Sequence, residues 1–192
     1  MATYTESYYN LYHGTSQLAA VKIISEQKFI ASNSDNWCGS GVYFYDNKGK
    51  ALWAAQRKCN ELHKKTGEKH KHSYVCADII NINKDDILDL RSFKDLEHFS
   101  KFLDEFLENN NFEIDGEISE EEKLIKKRAI LISFYAQENK KKLVIGHFQQ
   151  IPRAEFIPIH SAAKKLQLVV GVETIFCVKD DSILTNIRGA NK

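Results

Sequence analysis

The hydrophobic pattern of this chain changes period twice, and that change restricts the fold more than any single motif does. In SYYNLYHG, Ser7 to Gly14, aromatic and polar residues alternate, which predicts a strand ending in a turn at Gly14. From Ser92 the period lengthens: Phe93, Leu96, Phe99, Leu103 and Phe106 fall on one helical face. After an acidic loop a second helix is predicted from Ser119, with Glu122 three residues on completing a capping box. The last third, KLVIGHF, AEFIPIH, LQLVVGV and TIFCV, is β-branched and aromatic again. Strands at both ends around a helical hairpin over 92–138 predict an α+β domain built on antiparallel sheets.

Between these landmarks, Thr15 or Ser16 is placed to cap a helix through Leu18, Val21, Ile23 and Ile24. GSGVYFYD reads as a short strand and ALWAAQRKCNELHKK as a helix of good formers. SYVCADIININ and DDILDL read as strands separated by a turn at 83–85. Only two prolines and nine glycines occur, so no linker divides the 192 residues, and one domain over 1–192 is expected.

Composition excludes several classes. With 43% hydrophobic and 28% charged residues the chain has material for a core, which excludes disorder, collagen and coiled coil. A net charge of +1 gives no global attraction to polyanions, so any basic patch is local. Apolar runs such as Ala129 to Ile132 fall short of the roughly 20 residues that span a bilayer, and MATYTESYYN lacks a signal-peptide layout. A soluble, cytoplasmic protein with no membrane partner is expected. Cys38, Cys59, Cys76 and Cys177 are scattered, which suits a reducing compartment. Cys59, His63, His70, His72 and Cys76 have the residue types of a zinc site, but the lysines among them would repel a cation, so a solvated loop and no metal are expected.

Three separated pieces draw attention together: Tyr12-His13-Gly14-Thr15, Gly39-Ser40-Gly41-Val42-Tyr43-Phe44, and Gly171-Val172-Glu173-Thr174-Ile175-Phe176. Taken singly, His13 reads as a hydrogen-bonded strand residue and Tyr43 as core. Glu173 stands out because LQLVVGVETIFCV is otherwise apolar, and burying an unpaired carboxylate is costly. In this order, HGT, then a helix ending in QKFIAS, then GSGVYFYDN, then ETIFCVKDDSIL, the chain resembles the His-Tyr-Glu class of NAD-dependent ADP-ribosyltransferases, the diphtheria-toxin and poly(ADP-ribose)-polymerase-like group. The resemblance covers 9–56 and 166–184.

The resemblance implies split antiparallel sheets with flanking helices, and NAD as co-substrate. It assigns Glu173 to the ribose that loses nicotinamide, Tyr43 to stacking on the nicotinamide ring, His13 to the adenosine-side ribose and the Gly14 backbone to the carboxamide. Thr15 and Gly41 flank these positions as binding residues. Trp53 is either a second wall of the nicotinamide slot or a helix-core residue. The family's carboxamide-binding hydroxyl is missing, since no Ser or Thr occurs between Tyr45 and Thr66. The grip then falls to Gly14 alone, or to Asn47 or Gln56.

The arginine-directed branch carries Gln or Glu two residues before the catalytic Glu, where this chain has Gly171, and Arg in place of His13. Mono-ADP-ribosylation of a macromolecular acceptor, protein or nucleic acid, by a bacterial or phage-type toxin or effector is therefore the expectation, by analogy. An NAD glycohydrolase using water, or a non-catalytic NAD- or ADP-ribose-binding module, are the alternatives. Residues 57–72 hold six Lys or Arg, three His and two Glu, either for phosphates or as a solvated helix end. Residues 104–122 hold nine acids and no Lys or Arg, either for a basic antitoxin or other inhibitory partner or as a hairpin tip.

Overall fold

A computed structural model describes residues 4–32, 36–110, 112–114, 116, 118–149 and 172–189. Within them the chain runs β1 (Thr5–Ser16), α1 (Gln17–Glu26), β2 (Val42–Tyr45), α2 (Lys48–Thr66), β3 (His72–Asn83), β4 (Ile87–Asp89), α3 (Phe93–Asn109), α4 (Glu120–Glu138), β5 (Leu143–Gln149), β6 (Val172–Val178) and β7 (Leu184–Gly189). The fold is mixed, with four helices and a seven-stranded sheet in the order β4-β5-β6-β2-β1-β3-β7, in keeping with an α+β class. The expected strand material at AEFIPIH and in LQLVV, and Gly171 with it, lies outside the described residues.

The expectation of split, wholly antiparallel sheets needs two corrections. The described strands form one hydrogen-bonded sheet, and β4 pairs parallel to β5. The helical hairpin α3–α4 connects these two strands, and a parallel neighbour requires such a long crossover. A trace of division remains at the centre. β1 pairs with β3 over Thr5–Ser16, whereas β1 and β2 share the single register pair Tyr12↔Tyr45. Residues 42–44 of β2 pair with β6 alone, and the β1 residues 13–16 run on beside β3 without a β2 partner.

Alternation along the strands sorts the core into two layers. Val42, Phe44, Phe176 and Val178 face a cluster that includes Leu11, Ile79 and, from α1, Ala20 and Ile23. Tyr43, Tyr45, Ile175 and Cys177 face the opposite way, beneath Phe99 of α3 and Ile132 and Tyr135 of α4. α1 is capped by Ser16, whose hydroxyl accepts from the Ala19 N–H at 3.3 Å. α4 is capped by the Ser119–Glu122 box. The apolar face expected of α3 is shifted: Phe99, Phe102 and Leu103 pack inward, while Phe93 and Leu96 are exposed. Phe93 is the first residue of its helix, beyond the stretch where rings meet Phe134 and Tyr135 of α4 edge-on or tilted.

Candidate active site

The start of α2 organises the centre of the molecule. Asn47 caps it, its Oδ1 accepting from the N–H groups of Gly49 at 2.8 Å and Lys50 at 3.3 Å. Ala51, Ala55 and Cys59 form the buried stripe one turn apart. Ala51 rests directly on β1 at Gly14: a Cβ there would stand 1.9 Å from the Ala51 carbonyl oxygen, so only glycine allows the helix this close. Thr15 follows, buried against β3 opposite Ser73.

Lys50, the residue before Ala51, reaches the other way. Its Nζ lies 3.5 Å from Glu173 Oε1, and the Glu173 side chain is only 7% exposed. The carboxylate therefore does not point into bulk solvent. It sits beyond the end of the β2–β6 ladder, opposite Phe148 in register, beside the Lys50 ammonium. Tyr45 is its aromatic neighbour: burial first, and the Glu173 charge second, push the Tyr45 phenol up to about 12, with Arg57 of α2 opposing.

His13 packs its ring edge-on to Phe29 at 5.3 Å and tilted to Phe44 at 5.7 Å. Its Nδ1 lies 2.9 Å from the Tyr43 carbonyl. A carbonyl only accepts, so Nδ1 carries the proton and Nε2 keeps a lone pair. Burial holds this imidazole down to about 4, against an ordinary 6.5, and Lys58 on α2 adds to the shift. The side chain is thus neutral at physiological pH and has one acceptor to offer.

Tyr43 is more constrained than its sequence context suggests. Its hydroxyl donates to the Gly39 carbonyl at 2.5 Å and accepts from the Cys38 N–H at 2.9 Å. Burial pushes the phenol well above its usual range. Only the ring is left for stacking. Gly41, at φ +154°, is a seat for β6: a Cβ would lie 2.5 Å from Cys177 Sγ. Lys179 ties the same loop down, donating to the Cys38 and Ser40 carbonyls, each at 2.6 Å.

The structure brings His13 to the Tyr43 backbone and Lys50 to Glu173, while Glu173 stands four residues along β6 from Cys177, the residue opposite Tyr43. Tyr43 and Glu173 share the side of the sheet covered by α3–α4, while His13 lies on the Phe44 side and meets Tyr43 through its backbone. Trp53 is not a core residue: it is half exposed on α2, with the Arg57 guanidinium 6.0 Å from its ring. Lys50, Trp53 and Arg57 recur at helical spacing, and the outer two act on Glu173 and Tyr45, so Trp53 stands on the stripe beside them. Asn47 has its carbonyl committed to the cap, and Gln56 is exposed on the outer side of α2.

Lys50 and Tyr45 escaped the sequence reading. Tyr45 had a signal, since it shares Tyr43's face at the period of two; Lys50 had none, because its partner lies across the whole α3–α4 crossover. Among the described residues no group of three or more His, Cys, Asp or Glu is placed to hold a metal ion. No helix among them is long and apolar enough to cross a membrane.

Comparison with known proteins adds little. No family model matches the chain, and no solved structure matches it. An uncharacterized protein of Methanocaldococcus jannaschii is 38% identical over 56 residues, which is 27% of this chain and 26% of that protein. The chain thus matches about a quarter of that relative's length.

Proposed function

We propose that this chain cleaves NAD at the nicotinamide glycosidic bond and transfers a single ADP-ribose to a macromolecular acceptor, in the manner of a toxin or effector. The observation that carries the reading is Glu173, a buried carboxylate held by Lys50 on the same helical turn that packs against Gly14, next to His13.

NAD loses a neutral nicotinamide from a positively charged ring, leaving an oxocarbenium-like ribose. A fixed carboxylate that accepts a hydrogen bond from the ribose 2′-hydroxyl and faces the developing cation stabilises this state more than the ground state. Glu173 takes that role, with Lys50 fixing its orientation. The ring of Tyr43 offers a face for the nicotinamide. The lone pair on His13 Nε2 suits a ribose hydroxyl, and the β1 backbone at Gly14, where β2 has already departed, suits the carboxamide. Free, buried cysteines at 38, 59, 76 and 177 are in keeping with action in a reducing cytoplasm.

Glu173→Gln keeps the shape of the side chain and removes its charge. Nicotinamide release from NAD, followed by chromatography, is expected to fall by about a hundredfold or more, with the melting temperature recorded alongside. Wild-type turnover in the folded variant would mean that another group bears the charge. Free ADP-ribose as the sole product, with no labelled macromolecule in a cell extract, would make water the acceptor.

A further inference from the structure

The outer side of α2 concentrates charge that the chain as a whole does not have. Residues 48–72 hold eight Lys or Arg, of which Lys50 turns to Glu173, against two Glu, in a protein with 27 basic and 26 acidic residues. Because Ala51, Ala55 and Cys59 take the buried stripe, Lys58, Lys64 and Lys65 face outward, and Lys69 and Lys71 are exposed on the segment that follows the helix. Amid them Trp53 is 50% exposed, an unusual place for an indole. It borders an open depression shared with Gln56, Arg57, Asn60, Glu61 and Lys64. Glu61 is the one carboxylate there, and it pairs with Arg57 Nε at 3.2 Å.

We infer that this face is the acceptor-binding surface and that the acceptor is single-stranded nucleic acid. A base stacks on Trp53, the amides of Gln56 and Asn60 meet base edges, and Lys64 and Lys65 meet phosphates. An acidic peptide would use the lysines but leave the indole without a purpose. A duplex keeps its base faces stacked internally and has none to offer the ring. The placement also suits the chemistry. Lys50, Trp53 and Arg57 follow one helical stripe, and seven residues of helix span about 10 Å, so a strand on this face passes close to Glu173.

The inference rests on the reading of Glu173 as the centre of NAD cleavage. In the transfer, the C1′–N bond to nicotinamide breaks with its electron pair going to the nicotinamide ring. A lone pair on a nucleic-acid oxygen or nitrogen forms the new bond to C1′, and the proton it displaces passes to solvent.

The test uses the full chain with short, mixed-sequence, fluorescein-labelled DNA and RNA, each single-stranded and duplex, and reads anisotropy across a salt series. Single strands are expected to bind more tightly than duplex, with a salt slope of about −0.7 per phosphate contact. Lys64→Gln/Lys65→Gln is expected to flatten that slope by one or two contacts without lowering nicotinamide release in the absence of oligonucleotide. Trp53→Ala is expected to weaken binding roughly tenfold or more. With labelled NAD, wild type should mark the oligonucleotide in nuclease-sensitive form, and the double lysine variant should lose that mark; the DNA and RNA arms tell which sugar is accepted.

Absence of oligonucleotide binding, unchanged binding by the double variant, or label from a cell extract found only in protease-sensitive material would overturn the inference. Nicotinamide release without oligonucleotide binding defeats the surface alone. Oligonucleotide binding without nicotinamide release defeats the reading of Glu173 and leaves the surface standing.

Discussion

Acid should weaken this protein through His13, by an amount set by how far burial depresses its imidazole. The imidazole is held at about 4 in the folded chain and returns to 6.5 when unfolded. Between those values the unfolded chain binds the extra proton, so stability rises with pH across the window. The contribution is complete above the unfolded value, erodes as pH falls below it, and is gone once pH passes the folded value. The full shift corresponds to about 3 kcal/mol. Linkage makes the loss between neutrality and one and a half units below the unfolded value about 2 kcal/mol. His13→Asn retains an N–H for the Tyr43 carbonyl but does not titrate. Urea unfolding of both proteins at those two pH values isolates the term, because every carboxylate is common to both. The wild type should lose about 2 kcal/mol more than the variant on acidification. Parallel losses would show that the ring is open to protons in the folded chain, and the lone pair on Nε2 would no longer be assured.

Two further substitutions test the frame around the site. Gly14→Ala places a methyl 1.9 Å from a backbone oxygen of α2, which must move, so we expect about 1–3 kcal/mol of destabilisation by denaturant titration and a loss of nicotinamide release larger than the stability change explains. Asp78 is buried, accepts from the Asn10 N–H at 2.8 Å and pairs with Arg188 of β7 at 3.0 Å, and its carboxyl is held below the usual range by those bonds despite burial. Asp78→Ala leaves the Asn10 N–H without its acceptor and removes one partner of Arg188, which keeps the Asn186 carbonyl and Asn10 Oδ1, and should cost about 1–3 kcal/mol in urea unfolding, with the loss concentrated at neutral pH.

Local signals carried much of the architecture. Ser16 and the Ser119–Glu122 box mark helix starts because capping is decided within three residues. The alternation of Val42, Tyr43, Phe44 and Tyr45 states correctly which residues share a face. What stayed hidden depends on partners far away in the chain. The parallel β4–β5 pair follows from the path of a crossover, not from the composition of either strand. Tyr43's hydroxyl is spent on the loop at Cys38 and Gly39, which no pattern in GVYF announces. Trp53 suits a nicotinamide wall and a helix core equally from the sequence, because its helix is apolar on one stripe and basic elsewhere, and only the position of Gly14 selects which stripe faces inward.

That last dependence explains why the three motifs belong together mechanically. β2 meets β1 only at its last residue, so β1 residues 13–16 lack a strand on that side, and the first turns of α2 pack on the face of β1 at Gly14. Gly14 sets how near Ala51 comes, Ala51 sets where Lys50 begins, and Lys50 meets Glu173 at the start of β6. The glycine after the histidine and the carboxylate near the end of the chain are therefore adjusted by the same helical turn. A side chain at position 14 would change the distance between strand and helix, and with it the surroundings of the acid, without touching Glu173 itself. The spacing of HGT from GVYF reflects the same requirement: α1 and the loop ending at Gly41 bring the chain back to lay β2 beside β6 and start α2 at the seam.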